Sequence, residues 1–156
     1  MSESFSRIAI VTGATSGIGE ATAKRFAAAG FAVIGNGRNA TKLAALEASI
    51  GPAFCGVAGD ASDPSILESL FDTASERFGR PADIVVANAG RGLGGSVKDA
   101  DLVQFEAVVK INLTGTLALL QQAAQCLLAA LEAGAAAAAD IVIVGSVVGR
   151  HISPFS

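Results

Sequence analysis

With 156 residues, a net charge of −3 and a pI near 5.0, the chain is long enough for one domain with a real core and offers nucleic acid no basic footprint. No run of about 18 strongly apolar residues is present, and the opening MSESFSR lacks the basic and apolar regions of a signal peptide, so the sequence reads as a soluble, cytoplasmic protein without a membrane partner. Hydrophobic residues make up 51% and 18 glycines add about 12%, above the roughly 45–50% of ordinary soluble domains on the same count, which calls for elements buried on more than one side. Cys55 and Cys126 have no metal-ligand spacing and stand in apolar contexts, so buried free thiols and no metal site are expected.

Arg7 to Val11 is a β-rich run that enters the glycine turn of VTGATSGIG. Glu20 to Ala29 follows with apolar residues at helical spacing, and Gly30 stops it. Phe31 to Gly35 reads as a second strand, and Asn39 is placed to cap a helix with Leu43 and Leu46 on one face. Ala53 to Ala58 reads as a third strand. Asp63-Pro64 is a helix start, since the aspartate can accept from free amides while proline occupies the first turn, where no amide partner is needed. Ile66, Leu67, Leu70, Phe71, Ala74 and Phe78 then share an apolar face.

Asp83 to Ala87 and Asp140 to Val144 lack polar alternation, as expected of parallel strands covered on both faces. Between them, about Val103 to Ala133, runs a helical stretch apolar over most of its circumference, which requires more than one burying neighbour. The five alanines at 135–139 stand where a polar loop is expected, and nothing in the sequence accounts for them. The alternating β-α pattern predicts a single α/β domain built on a doubly wound parallel sheet.

In such a sheet the first strand-to-helix turn faces the carboxyl edge, where free amides and the positive helix end favour an anion. Gly13, Gly17 and Gly19 would let that backbone approach a pyrophosphate, with GxxxGxG spacing in place of the usual GxGxxG. Asn112 lies inside the apolar helix, and a buried amide left unpaired costs about 1–3 kcal/mol, so it needs partners or a purpose.

The motifs together resemble those of the short-chain dehydrogenases/reductases, over the whole chain. Thr12 to Gly19 is similar to the family's TGxxxGxG cofactor motif, Asp60 to the aspartate bordering the adenine, and Asn88-Ala89-Gly90 to the NAG that supports the central strand and cofactor. Ala87 replaces the first asparagine of the usual NNAG. Asn112 and Ser146 fall where the family carries its catalytic asparagine and serine. The resemblance implies a Rossmann-type, three-layer α/β/α fold, here its first five strands. It also implies a dinucleotide held by Gly13, Thr15, Ser16, Gly17, Ile18 and Gly19 at the first turn, by Gly37 and Arg38 after the second strand, and by Asp60, Ala61, Asn88, Ala89 and Gly90 beyond.

Cofactor choice depends on the end of the second strand, where an acidic residue would bond the ribose 2′-hydroxyl of NAD. Asn36-Gly37-Arg38 has no carboxylate to repel a 2′-phosphate and has a guanidinium suited to bind one, so NADP is expected. The family's reaction is reversible hydride transfer between nicotinamide and a carbonyl or secondary alcohol, with a YxxxK tyrosine as general acid/base and a serine that orients the substrate. The chain contains no tyrosine.

An incomplete enzyme that lacks its C-terminal part is therefore expected, with a noncatalytic dinucleotide-binding or oligomerisation module as the alternative. The fifth strand favours the first, because it would otherwise be an exposed apolar sheet edge. Arg91 to Gly95 and the segment after Ser146, VVGRHISPFS, are expected to line the substrate pocket, with His151 in a loop or surface role. In the family the helix that carries Asn112 packs on its counterpart in another subunit, which implies a homodimer or homotetramer.

Overall fold

The computed structural model describes residues 5–146, so His151 and the segment from Val147 onward lie outside the described residues. Five strands, β1 (Ile8–Thr12), β2 (Ala32–Gly37), β3 (Phe54–Ala58), β4 (Ile84–Ala87) and β5 (Asp140–Ile143), form one parallel sheet in the order β3-β2-β1-β4-β5. The helices are α1 (Gly17–Ala28), α2 (Ala40–Ile50), α3 (Pro64–Phe78), α4 (Leu102–Val109) and α5 (Thr116–Glu132). The expected doubly wound architecture is present. From β1 the chain builds outward through β2 to β3, then returns past β1 to add β4 and β5, so the order reverses between β1 and β4.

Strand pleating divides the core into two layers. Ile8, Ile10, Ile34 and Val85 pack with Leu67, Leu70 and Ala74 of α3 and with Leu119, Ala123 and Leu127 of α5. Ala9, Val11, Val33, Phe54 and Val86 face the other way, onto Ala23 of α1 and Leu43 and Leu46 of α2. The register sets Ile10 against Ile34 on one side and Val85 on the other. Both predicted caps form: Asn39 Oδ1 accepts from Lys42 N, and Asp63 Oδ1 accepts from Ser65 N with Pro64 in the first turn. Asp101, which the sequence reading passes over, caps α4 by accepting from Val103 and Gln104.

Three expectations need correction. The first is the stretch from Leu102 to Glu132, which includes a π-helical segment, Lys110–Gly115, between α4 and α5. It is also covered on one side only: Gly115, Leu119, Ala123, Leu127 and Ala130 are buried, while Leu102, Val103, Phe105, Leu113, Leu117 and Leu128 are exposed. By length and composition this stretch could cross a membrane, but α5 packs on α3 and β4 as a layer of the domain. Second, β5 is exposed at every residue, although its composition matches the buried β4, because burial depends on what lies across a strand and not on the strand itself. Third, Cys55 and Cys126 are unpaired as expected but only half-buried, and desolvation pushes both thiols up. The alanine run is a turn and loop in which the amides of Ala135 and Ala136 donate to Ala130 O at 2.8 and 3.2 Å.

At the amino edge the sheet is tied by charge. Asp83 is buried just before β4; its Oδ1 accepts from Arg7 Nε and from Ile8 N, both at 3.2 Å, and its Oδ2 accepts from Arg80 Nη1 at 3.2 Å. Arg7 Nη1 extends the link to Asp140 of β5 at 2.6 Å. Removing one partner of a buried charge network strands the others. Asp83→Ala is therefore expected to cost about 3 kcal/mol in chemical denaturation, and a loss below about 1 kcal/mol would show the tie to be dispensable.

Candidate active site

At the carboxyl ends of β1 to β4, where the strand order reverses, lies a cleft of about 400 Å³. Open α/β sheets bind ligands at this topological position. Its floor is the glycine turn. Gly13 has φ +69°, and a β-carbon there would crowd Asn88 and Ala89. Gly17, with φ +53°, starts α1 in open space, so conformation rather than room demands glycine. Gly19 is different: it is buried, and a β-carbon would collide with the Gly13 carbonyl. It brings the helix against the strand and does not line the cleft. Thr15, Ser16 and Ile18 complete this wall, and the Ser16 side chain makes no cap on α1. The helix start is thereby open to an anion.

Opposite the turn, Asn88, Ala89 and Gly90 leave β4. Thr12, 1% exposed, fixes their position: its hydroxyl donates to Val86 O and accepts from Asn88 N at 3.1 Å and Ala89 N at 3.0 Å. Asn88 Nδ2 returns a bond to Thr12 O at 2.9 Å. Gly37 ends β2 and Arg38 follows it, with Thr15 packed against Gly37. Among the described residues no hydrogen bond or ion pair engages the Arg38 guanidinium. Asn36 also lines the cleft but is buried, and its side chain serves the fold: its Nδ2 donates to Val57 O and Gly59 O, and its backbone carbonyl accepts from Ala14 N.

Asp60 enters from the end of β3. Its Oδ1 accepts from Ser62 N at 2.9 Å and Ser62 Oγ at 2.8 Å. These two bonds hold the carboxyl below its ordinary range, with smaller help from the charges of Lys110 and Arg38. Ala61 is buried behind the wall, where its carbonyl meets Gly115 of the π segment.

Asn112 lies in that segment and is exposed, not buried as the sequence reading supposes. It is nonetheless paired: Arg91 N donates to its Oδ1 and its Nδ2 donates to Arg91 O, both at 2.9 Å. The residue after NAG is thus locked to the helix. Ser146 follows β5 and is exposed; neither it nor Asn112 is among the residues that line the cleft. Arg91 does line it, whereas Gly92 to Gly95 do not.

Lys110, Ala107 and Ile111 form a wall that the sequence reading misses. A signal for it exists, since Lys110 is the one charged residue between Glu106 and Glu132. Ser62 is likewise missed as a site residue, although Asp-x-Ser spacing is a recognisable turn pattern, and Thr12 is read only as the first residue of the glycine motif and not as the clamp on Asn88 and Ala89.

A family model described as short chain dehydrogenase matches residues 7–156. The chain belongs to the short-chain dehydrogenases. A serine 3-dehydrogenase of Agrobacterium fabrum is 43% identical over 109 residues, which is 69% of this chain and 43% of that protein. An NADP-dependent (R)-specific alcohol dehydrogenase of Lentilactobacillus kefiri is 40% identical over 70% of this chain and 44% of its own. A 3-ketoacyl-(acyl-carrier-protein) reductase of Brucella melitensis, solved with NADH, superposes with a TM-score of 0.87 at 28% identity, covering 96% of this chain and 61% of that one. This short-chain dehydrogenase chain thus spans about half the length of these relatives.

The Asp60–Ser62 bonds carry a pH consequence. A carboxyl held low when folded contributes stability that is present above about pH 4 and lost as pH falls through its lowered pKa. Ser62→Ala removes the hydroxyl bond and keeps the amide bond, so the Asp60 midpoint read by NMR titration is expected to rise toward the ordinary value. An unmoved midpoint would mean that the hydroxyl bond does not set it.

Proposed function

We propose that this chain is the cofactor-binding part of an NADP-dependent short-chain oxidoreductase that transfers hydride reversibly between NADP(H) and a carbonyl or secondary alcohol. The observation that carries the reading is the pairing, in one cleft, of an uncapped helix start with an unengaged arginine where a carboxylate would select NAD. The cofactor, when bound, supplies or accepts the hydride. The residues fit it by charge and shape. The amides from Gly13 to Ile18 would meet the pyrophosphate, Arg38 the 2′-phosphate, and Asp60, through the oxygen not taken by Ser62, the adenine.

In this reading Ser146 donates a hydrogen bond to the substrate oxygen. Asn112 works by position, since its amide is committed to Arg91 and holds the segment after Gly90 beside the helix. The acid/base group is not supplied by this chain, which has no tyrosine. The exposed apolar face of α4 and α5 supports assembly as a homodimer or homotetramer.

NADP should bind the full-length protein more tightly than NAD, and Arg38→Ala should weaken NADP roughly tenfold or more while leaving NAD nearly unchanged. Equal affinities for both cofactors, or an indifferent variant, would refute the NADP assignment; no nucleotide binding at all would favour a pure interaction module. Leu113→Glu combined with Leu117→Glu should shift the protein toward monomer in light scattering, and a wild type already monomeric would rule out assembly through this face.

A further inference from the structure

Lys110 is the one charge in a long neutral stretch of helix, and its side chain lines the cleft. It enters from the helical wall, while Arg38 enters from the end of β2. Both act electrostatically on Asp60, Lys110 more strongly than Arg38. Lys110 also acts on Asp63, but that carboxylate caps α3 and is not part of the lining. The charges that line the cleft are Arg38, Asp60, Arg91 and Lys110. Arg91 is already engaged, its Nη2 donating to Gln104 Oε1 at 2.7 Å. Among the described residues no hydrogen bond or ion pair engages the Lys110 ammonium.

The balance of charge around Asp60 decides what this end of the cleft can hold. Two bonds from Ser62 keep Asp60 an anion. Of the two cations that act on Asp60, Arg38 alone would only balance its charge and leave that pair neutral, a poor host for a dianionic phosphate; the Arg91 charge, which Gln104 does not neutralise, is not among those acting on Asp60. Lys110 makes the group around Asp60 net positive, in a recess where fields are less screened than on open surface. We infer that Lys110 is a cofactor-specificity residue, which acts with Arg38 to admit the ribose phosphate of a phosphorylated dinucleotide beside Asp60. The inference rests on the NADP reading above and adds to it a residue from a different element.

The test uses adenosine 2′,5′-bisphosphate and adenosine 5′-monophosphate, titrated separately by calorimetry into the full-length protein and its Lys110→Gln, Lys110→Arg and Arg38→Ala variants at low and high salt. Lys110→Gln should lower bisphosphate affinity roughly threefold to tenfold and monophosphate affinity less than about twofold, with the gap narrowing at high salt and Lys110→Arg restoring it. Equal losses for the two ligands would make Lys110 an ordinary adenosine contact and overturn the inference, as would no loss. Bisphosphate binding that falls in Arg38→Ala but not in Lys110→Gln overturns the role of Lys110 alone. A wild type that does not distinguish the two ligands overturns the NADP reading and this inference together.

Discussion

Where the strand order reverses, two neighbouring strands send their chains off to different places, and a crevice opens only if their ends are held at a fixed spacing. The hydroxyl of Thr12 does this between β1 and β4. As donor it holds Val86, and as acceptor it holds the amides of Asn88 and Ala89, so its full capacity is spent inside the sheet. The Asn88 side chain completes the clamp by bonding Thr12 O. Gly13 then passes close to Asn88 and Ala89 with no side chain between them, and Gly19 lets α1 settle on the Gly13 carbonyl. Without that clamp the glycine turn would not face a wall.

The two edges of the sheet solve opposite problems. At the amino edge, Arg7 and Arg80 are balanced by Asp83 and Asp140, so each of these charges has a partner. At the carboxyl edge the polar groups not needed by the fold are left available: the start of α1, the Arg38 guanidinium, one oxygen of Asp60. Asn36 takes part in both roles, because its side chain supports the β3 turn while the residue lines the cleft with Gly37 and Arg38. Stability and binding therefore meet in one residue at the end of β2.

What the sequence made legible was chemistry local to a few residues. The Asn39 and Asp63 caps, the Leu43–Leu46 face and the apolar strands are each decided within one turn or one strand, so pattern reading reaches them. The site was legible where a glycine or an NAG triplet has its own geometric reason. It was not legible where partners lie far apart in the chain: Arg7 meets Asp83, 76 residues away, and Asn112 meets Arg91, 21 residues away. Exposure of β5 and of one side of the long helix also escaped, since an apolar residue records what it prefers to touch and not what is there.

The π segment sets a rule about length. Each residue turns an α-helix by about 100°, so the extra residue accommodated between Lys110 and Gly115 puts α5 out of phase with α4. Gly115, buried against Ala61 and Ser62, and Leu119, Ala123 and Leu127, buried on the sheet, all lie in the phase set after that offset. Dropping one residue there would restore a regular ladder and turn α4, which buries no residue, by about 100° against the anchored α5, carrying Ala107 off the cleft wall. In this part of the chain individual side chains have some latitude, but the count of residues between Lys110 and Leu119 has almost none.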